Sequence, residues 1–316
     1  MKRPSRKTPR PARLDVLGLG CTAVDDILYV PAYPPADGKV EIRARERQCG
    51  GLCATALVAA ARLGARCAYA GTLGRDEGSR LVLDTLRREG VDTRPVVRRD
   101  GAGPVRSTVV VEEGRRTRTI FYDARQALGA DPERPSRALI LSARVLLVDR
   151  FGMPGMIRAA RLAREAGIPV VADFESSHVP RFQELLALAD HLILSADFAC
   201  DLTGGMSPSA AASALWREDR SAVVITWGEA GCWALDAPNS PARHFPVFKV
   251  KAVDTTGCGD VFHGAYAAAL ARGLALEERL RFAAAAAALK ATQRGGQAGI
   301  PSLAAVRKLL RGGPRP

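Results

Sequence analysis

Residues 249–274 read KVKAVDTTGCGDVFHGAYAAALARGL, a pattern that predicts a strand, a glycine-rich turn and a long alanine-rich helix. Gly257 and Gly259 let the amides of the turn converge where the positive end of the helix dipole lies. Such a turn binds an anion, and phosphate is its natural occupant. Asp260 stands in the first helical turn. Its carboxylate either caps the helix or accepts a proton from a hydroxyl that attacks a bound phosphoryl group.

Outward from this segment, short apolar runs alternate with stretches of helical periodicity. Strands are predicted at 14–20, 68–70, 145–148, 169–172, 191–194 and 222–226, and helices at 52–63, 80–89, 156–166 and 182–188. This alternation indicates an α/β fold with a mainly parallel sheet covered by helices on both faces.

Two stretches interrupt this alternation of strands and helices. Within them, polar and apolar residues alternate one by one. They lie near residues 37–48 and 104–123, and they predict exposed antiparallel strands that form a small β-sheet lid beside the body. We therefore expect one domain over residues 14–312, preceded at residues 1–13 by a basic, disordered tail.

Composition limits the function. The chain has 316 residues and a net charge of +13, but residues 1–13 carry six cations and 301–316 carry four, which leaves 36 cations against 33 acids between them. A nearly neutral body makes nucleic-acid binding an unlikely role for the domain. No apolar run approaches the roughly 20 residues of a membrane helix, and the basic N-terminus lacks the apolar core of a secretory signal. A cytoplasmic protein with reduced cysteines is expected.

The segment DTTGCGDVFHG, residues 254–264, resembles the second signature of the PfkB, or ribokinase, family of carbohydrate kinases. Gly50-Gly51 before an alanine-rich helix and the glycines and acid of residues 71–78 are similar to the first signature. The resemblance spans residues 14–312. It implies a ribokinase-like three-layer α/β/α fold, ATP and Mg²⁺ as cofactors, and phosphoryl transfer to a primary hydroxyl of a sugar. It assigns the catalytic base to Asp260 and the anion hole to Gly257, Cys258 and Gly259.

On the sugar side, the resemblance implies that Asp25 and the Gly50-Gly51 turn hold sugar hydroxyls, with Thr55 at a position where the family usually has Asn. Within the family the chain is most similar to sulfofructose kinases and ketohexokinases, on the basis of Ser195, His263 and residues 288–301. Lys39 and Arg150 resemble anion-contacting positions of the sulfofructose group, whereas Phe121 replaces that group's Asn in the lid. From the residues alone, Asp25 is also a common turn residue and Lys39 and Arg150 are ordinary surface charges.

On the nucleotide side, the family's Asn-x-x-Glu falls on residues 195–198, so that Ser195 replaces Asn and the Glu is missing. Mg²⁺ would then be held mainly by the ATP phosphates and water. The resemblance places Thr226, Gly228 and Gly231 beside the nucleotide, Gly295 and Gly296 under the adenine, and a monovalent cation such as K⁺ at Asp254 and Thr256. Each of these also has an ordinary interpretation as a turn residue.

These features predict an ATP-dependent kinase for a sugar, with a ketose such as sulfofructose or fructose first and ribose, 2-keto-3-deoxygluconate, fructose 6-phosphate or a nucleoside as alternatives. A homodimer formed through the lid is a tendency of the family. A nicotinamide-dependent oxidoreductase is a weaker hypothesis, since Gly18-x-Gly20 lacks the third glycine and the following helix. A non-enzymatic protein that binds sugar or nucleic acid would depend on the basic tails.

Overall fold

The structure, a computed structural model, describes residues 14–115, 117–238 and 240–312; the predicted tail at 1–13 lies outside these ranges. The strands of the described part are β1 (Leu14–Leu19), β2 (Ala23–Val30), β3 (Ala44–Gly50), β4 (Cys67–Tyr69), β5 (Thr72–Leu73), β6 (Val97–Arg98), β7 (Val105–Glu112), β8 (Thr117–Asp123), β9 (Ala143–Val148), β10 (Val170–Asp173), β11 (His191–Ser195), β12 (Ala222–Thr226), β13 (Cys232–Leu235) and β14 (Arg243–Phe245). Its helices are α1 (Leu52–Arg62), α2 (Glu77–Arg88), α3 (Arg137–Ser142), α4 (Met153–Glu165), α5 (Phe182–Ala187), α6 (Ala196–Leu202), α7 (Pro208–Ala214), α8 (Cys258–Ala271), α9 (Leu276–Ala291) and α10 (Leu303–Gly312).

The body is built on an eight-stranded sheet with the order β14-β13-β12-β11-β10-β9-β1-β4. The strands from β12 to β4 are parallel, and β13 and β14 add an antiparallel edge. Because the chain crosses from one parallel strand to the next through helices, the carboxyl ends of these strands meet at one edge of the sheet.

Side chains alternate between the two faces of this sheet and pack into two apolar cores. On one face, Val145 and Leu147 of β9 pack with α1, α2, α8 and α9. On the other face, Leu146 and Val148 pack with the helices from α3 to α7. Both faces are buried, which explains why the central strands are continuous apolar runs. The three-layer α/β/α architecture agrees with the sequence analysis.

A second sheet of four strands, in the order β3-β2-β7-β8, forms the lid. β2 runs antiparallel to β3 and parallel to β7, and β7 pairs antiparallel with β8. Ile27, Tyr29 and Val109 form a small apolar cluster on one face of this sheet. The short strands β5 and β6 pair separately in parallel.

Several expectations about elements are wrong. Residues 37–43 are not a strand, since β3 begins at Ala44, and residues 249–253 before the glycine turn are irregular. β2 was not predicted, and it places Asp25 in a strand of the lid instead of a loop. The lid strands are also not all antiparallel, because β2 and β7 run in the same direction.

Across the described residues, no helix has the length and apolarity needed to cross a membrane.

Candidate active site

The glycine turn and the start of α8, where the sequence predicts an anion hole, lie at the carboxyl edge of the central sheet. Gly257 precedes the first helical residue with φ of 76°, a left-handed conformation that favours glycine. Of the amides that the resemblance assigned to the hole, that of Cys258 donates to the Thr255 carbonyl at 3.2 Å. The Gly259 and Asp260 amides, in the first turn, have no hydrogen-bond acceptor among the described residues. The Gly257 amide likewise has no acceptor among the described residues. The amides of Gly257, Gly259 and Asp260 are thus free to bind a phosphoryl oxygen, whereas the Cys258 amide is already bonded.

Asp260 lies half-buried beside this hole. Burial raises the pKa of Asp260 well above its usual value, and the nearby carboxylates of Asp173 and Glu175 raise it further. His263 opposes this increase, while the charge of Asp25 adds to it. A carboxylate with a raised pKa is a stronger base, which suits a group that must take a proton from an alcohol.

His263 joins the catalytic helix to the sheet one turn beyond Asp260. Its Nδ1 lies 2.9 Å from the Gly259 carbonyl oxygen and its Nε2 lies 3.0 Å from that of Ile193 in β11. Nδ1 is also 3.3 Å from Oδ2 of Asp173, a buried carboxylate at the end of β10. Burial lowers the pKa of His263, although both carbonyl contacts and the Asp260 carboxylate act in the opposite direction. The sequence analysis gave His263 no catalytic role, and these contacts identify it as a positioning residue.

Asp25 reaches the site from the lid. It lies in β2, where its carboxylate accepts a short hydrogen bond from the Ser107 hydroxyl of β7. Burial raises the pKa of Asp25, and the Ser107 hydrogen bond opposes that increase. A side chain at Gly50 would overlap the Asp25 carboxylate, which explains the need for glycine there. Asp25 is close enough to Asp260 for its charge to raise the pKa of that group.

Thr55 and Gln297 lie beside the glycine turn. Thr55 is buried in α1, and its hydroxyl accepts a hydrogen bond from Gln297 Nε2 at 3.3 Å. Its methyl group would be 3.5 Å from a Cβ at Gly257. Oε1 of Gln48 and Oε1 of Gln297 are buried with no hydrogen-bond partner among the described residues. Unpartnered oxygens of this kind accept hydrogen bonds from donors such as hydroxyl groups.

Asp173, Glu175, Gln48, Ser107 and Gln297 were missed by sequence reasoning. Asp173 ends a buried strand, and this position at the carboxyl edge of a parallel sheet was the signal that could have found it. Gln48 lies opposite Asp25 in the register of β2 and β3. That pairing could not be predicted because β2 itself was not.

The two cations predicted to bind an anionic sugar differ in placement. Arg150 follows β9 at the carboxyl edge, stacks 4.4 Å over the Phe151 ring and has an Nε atom with no partner among the described residues. Lys39 is exposed between β2 and β3 and forms no hydrogen bond or ion pair with the rest of the described chain. The structure thus supplies no contact that ties Lys39 to the pocket.

Phe121 does not occupy the place expected of it. In the lid, Phe121 is opposite Thr108, which is opposite Asp26, so its side chain lies on the face away from Asp25. Tyr122 is opposite Ser107 and shares the face of Asp25.

A cavity of ≈ 980 Å³ adjoins the anion hole from the other side. Thr226, Gly228 and Gly231 line it where the central sheet ends, and Cys258 and Gly259 line it at the start of α8. The remaining wall is largely apolar and includes Phe245, Phe248, Phe262, Ala284 and Ala288. A cavity with an apolar chamber and an anion hole at its mouth fits a base and a polyphosphate.

Ser195 neighbours this cavity, since it is paired with Thr226 in the register of β11 and β12. Its hydroxyl accepts a hydrogen bond from the Phe198 amide at 3.2 Å and so caps α6. Within the described residues, no three His, Cys, Asp or Glu side chains form a group that could hold a metal ion.

Gly295 and Gly296 differ from the expectation that they lie under the adenine. Gly296 lies against Gly257, and a Cβ at Gly295 would meet the Gln48 amide at 2.5 and 2.6 Å, which places this turn between the anion hole and the lid. Neither glycine lines the large cavity.

The proposed monovalent-cation residues are Asp254 and Thr256. Asp254 Oδ1 accepts from the Thr256 amide and Oδ2 from the Gly295 amide, both at 2.8 Å. The ammonium of Lys290 donates to the Asp254 carbonyl at 2.8 Å. A protein cation already contacts this group, so the residues do not fit a bound K⁺, contrary to the sequence expectation.

The chain is similar to known sugar kinases in sequence and in fold. The family model of the pfkB family carbohydrate kinases matches residues 14–303. The chain is 29% identical to a ribokinase of Haemophilus influenzae over 90% of this chain and 94% of the relative. It is 28% identical to fructokinase-1 of Oryza sativa subsp. japonica over 93% of this chain and 97% of the relative. The structure of Arabidopsis thaliana ribokinase complexed with ribose and ATP superposes with a TM-score of 0.84, at 25% identity and with 95% and 99% of the two chains covered. With the family model matching residues 14–303 and the fold shared with these kinases, the chain belongs to the PfkB family of carbohydrate kinases and is an ATP-dependent sugar kinase.

Proposed function

We propose that the chain phosphorylates the primary hydroxyl of an uncharged ketose such as fructose, bound under the lid between Asp25 and Asp260. The observation that carries this proposal is the group of carboxyl side chains at the start of α8. The charges of Asp25, Asp173 and Glu175 all act on Asp260. Carboxylates accept hydrogen bonds from sugar hydroxyls, whereas an ionised sulfonate or phosphate on the sugar offers them no hydrogen-bond donor.

Catalysis begins with the placement of two reactants on either side of α8. ATP occupies the large cavity with its γ-phosphoryl group at the amides of Gly259 and Asp260. The sugar lies on the Thr55 side with its primary hydroxyl toward the Asp260 carboxylate. Holding both reactants in line converts a bimolecular encounter into an intramolecular step.

The transfer itself needs one base and one anion site. Asp260 accepts the hydroxyl proton as the sugar oxygen attacks phosphorus, and ADP leaves on the opposite side. The two amides and the positive end of α8 stabilise the charge on the transferring group. Mg²⁺, which would enter bound to the ATP phosphates, supplies further neutralisation of that charge.

An anionic ketose such as sulfofructose is the second candidate, supported by Arg150. The half-buried guanidinium with its unpartnered Nε lies at the carboxyl edge, where it could receive an acidic group. Substitution of Arg150 by Met would then raise the KM of the anionic ketose while it left that of fructose unchanged.

The proposal extends to a homodimer formed through the lid. β8 is an edge strand, and Ile120, Phe121 and Tyr122 expose 47%, 53% and 66% of their surface. An exposed edge with adjacent apolar side chains favours pairing with a second copy. Sedimentation of the wild-type chain and of Phe121→Lys tests this: a dimer that becomes a monomer supports the lid interface.

The function is tested by ADP release over fructose, sulfofructose, ribose, 2-keto-3-deoxygluconate, fructose 6-phosphate and adenosine. We expect the highest kcat/KM for fructose, and a preference for a phosphorylated sugar or for adenosine would contradict the proposal. Asp260→Asn should lower kcat by roughly 10²–10⁴ while ATP binding and the melting temperature change little. Asp197→Asn, an exposed acid on α6, is the matched control with unchanged turnover.

A further inference from the structure

Lys290 is the most deeply buried cation among the described residues. It lies in the last turn of α9, and its side chain has no exposed surface. A buried ammonium loses its hydration and requires anionic or carbonyl oxygens in exchange. Its position is therefore maintained by specific partners, which identify what the charge does.

Those partners all belong to the loop before the anion hole. Nζ donates to the backbone carbonyl of Asp254 at 2.8 Å and lies 3.9 Å from Oδ1 of the same residue. The Val253 and Asp254 amides also bond to the Ala291 carbonyl, at 2.7 and 3.1 Å. The loop 253–256 is thus held against the end of α9 with the ammonium between them.

The charge of Lys290 also reaches the catalytic turn. It lies close enough to Cys258 and Asp260 for their thiol and carboxyl groups to interact with it electrostatically. The ammonium therefore lies near the turn whose amides would receive the phosphoryl group. A fixed positive charge at that place stabilises negative charge in the hole and fixes the orientation of the loop.

We propose that the Lys290 ammonium is a built-in replacement for a monovalent cation, so that the anion hole is organised without potassium. The carbonyl and carboxylate of Asp254 that would ligate a metal ion are the groups that contact Nζ. The loop needs one positive charge at this point, and a covalently attached one is present at every salt concentration. The inference depends on the kinase function for its rate measurements, but its melting measurements stand without that function.

The first test uses the wild-type chain in chlorides of potassium, sodium and tetramethylammonium at equal ionic strength. Turnover should agree within about twofold among the three salts, since general screening is then the same. The melting temperature should also be the same in all three. Activation by potassium of about tenfold or more, or a melting temperature raised by potassium alone, would overturn the proposal.

The second test compares two substitutions of the same side chain. Lys290→Ala removes the charge and opens space beside Asp254, so turnover should fall about tenfold or more in tetramethylammonium and rise again in potassium. Potassium should also raise the melting temperature of this variant by a few degrees, as a ligand of the folded state does. Lys290→Met removes the charge but fills the space, and it should show the loss without recovery.

Lys308→Met is the matched control, because Lys308 is an exposed lysine of α10 and is distant in sequence from the loop at 253–256. It should behave as the wild type in every salt. If Lys290→Ala keeps wild-type turnover in tetramethylammonium, the charge is not needed and the proposal fails. If both Lys290 variants fail to fold, the salt comparison of the wild type still decides. A chain that phosphorylates no sugar leaves the melting comparison as the deciding measurement.

Discussion

As the proposed base, Asp260 must lose its proton before it can accept one from a sugar, and its surroundings oppose that loss. Burial and the carboxylates of Asp173 and Glu175 raise its pKa, so the protonated and inactive form persists to a higher pH than for an ordinary aspartate. We therefore expect kcat/KM to fall as the pH decreases through this raised pKa and to reach a plateau above it. Initial rates measured between pH 4.5 and 8.5 give the acidic limb of the kcat/KM profile. Melting temperatures at each pH are the control.

A rate that stays flat over this whole pH range, as expected for an aspartate with its usual pKa of about 4, would contradict the role of Asp260 as a base held in a carboxylate cluster. Asp173→Asn removes one of the neighbouring charges. It should move the acidic limb to lower pH, because the repulsion that disfavours ionised Asp260 becomes weaker.

His263 holds the first turn of α8 against β11 through the carbonyls of Gly259 and Ile193. His263→Phe keeps the ring but removes both nitrogen contacts to carbonyl oxygens, which should lower the free energy of unfolding by about 1–3 kcal/mol. Since the Gly259 and Asp260 amides belong to the same turn, kcat should fall by roughly tenfold while the KM for ATP stays nearly constant.

His263→Gln keeps one donor and should restore part of the loss in both measurements. A purely structural histidine would lower stability in His263→Phe without the decrease in kcat, and that result would remove the positioning role. Thermal unfolding and steady-state kinetics on both variants measure the difference.

At the residue level, motif spacing predicted Asp260 and the glycine turn because their chemistry is contained in a few consecutive positions. Asp173, Gln297 and Lys290 were not predicted, since each acts through contacts with segments far away in the sequence. Lys290 in particular reads as one polar residue in an alanine-rich helix. Only the packing of α9 against the loop at 253–256 reveals that its charge is buried.

At the element scale, the close packing of α1 on α8 determines how the two sides of the site meet. Gly264 of α8 lies against Ala56 of α1, and a Cβ there would overlap the Ala56 carbonyl oxygen and lie 2.7 Å from its carbonyl carbon. Gly264→Ala should therefore separate the helices and lower the free energy of unfolding by about 1–3 kcal/mol. Thr55 precedes Ala56, so the KM for the sugar should rise as well.

Gly312→Ala is the control, because nothing lies within 4 Å of a Cβ at that end of α10. Denaturant unfolding compares the two variants. Equal stabilities for Gly264→Ala and the wild type would show that the helices separate without cost and that the contact does not constrain the site.

Elements buried on both faces were predicted well from sequence, and elements of the lid were not. Apolar runs such as β9 can be recognised as strands from the sequence, because a parallel strand between two helical layers has no polar face. β2 contains Asp25, for which the sequence predicts a loop after the first strand, and only the pairing of β2 with β3 and β7 makes this segment a strand. Tertiary pairing here overrides local preference.

At the scale of the whole molecule, the site lies between the three-layer body and the lid. Polar side chains join these two parts. Arg118 of β8 donates to the Thr255 hydroxyl at 3.1 Å, and Glu113 at the lid turn pairs with Arg294 at 3.4 Å. Arg294 also stacks 5.2 Å over the Tyr29 ring of β2. These contacts join the lid to the loops on both sides of the anion hole, which makes lid position and phosphate binding interdependent.

Breaking the Arg118 contact should loosen the lid and admit water to the phosphoryl group. Arg118→Met keeps the apolar length of the side chain and removes its donor; because exposed polar contacts contribute little, kcat/KM for the sugar should fall by at most about fivefold. A more sensitive measurement is the coupling of ATP hydrolysis to sugar phosphorylation, because a site that admits water transfers the phosphoryl group to water. ADP release without sugar, as a fraction of release with sugar, should rise in Arg118→Met and stay at the wild-type fraction in Arg125→Met. Arg125 is a suitable control because it pairs with Asp123 at the end of the same strand. An unchanged ratio in both variants would mean that the lid excludes water by its apolar contacts alone.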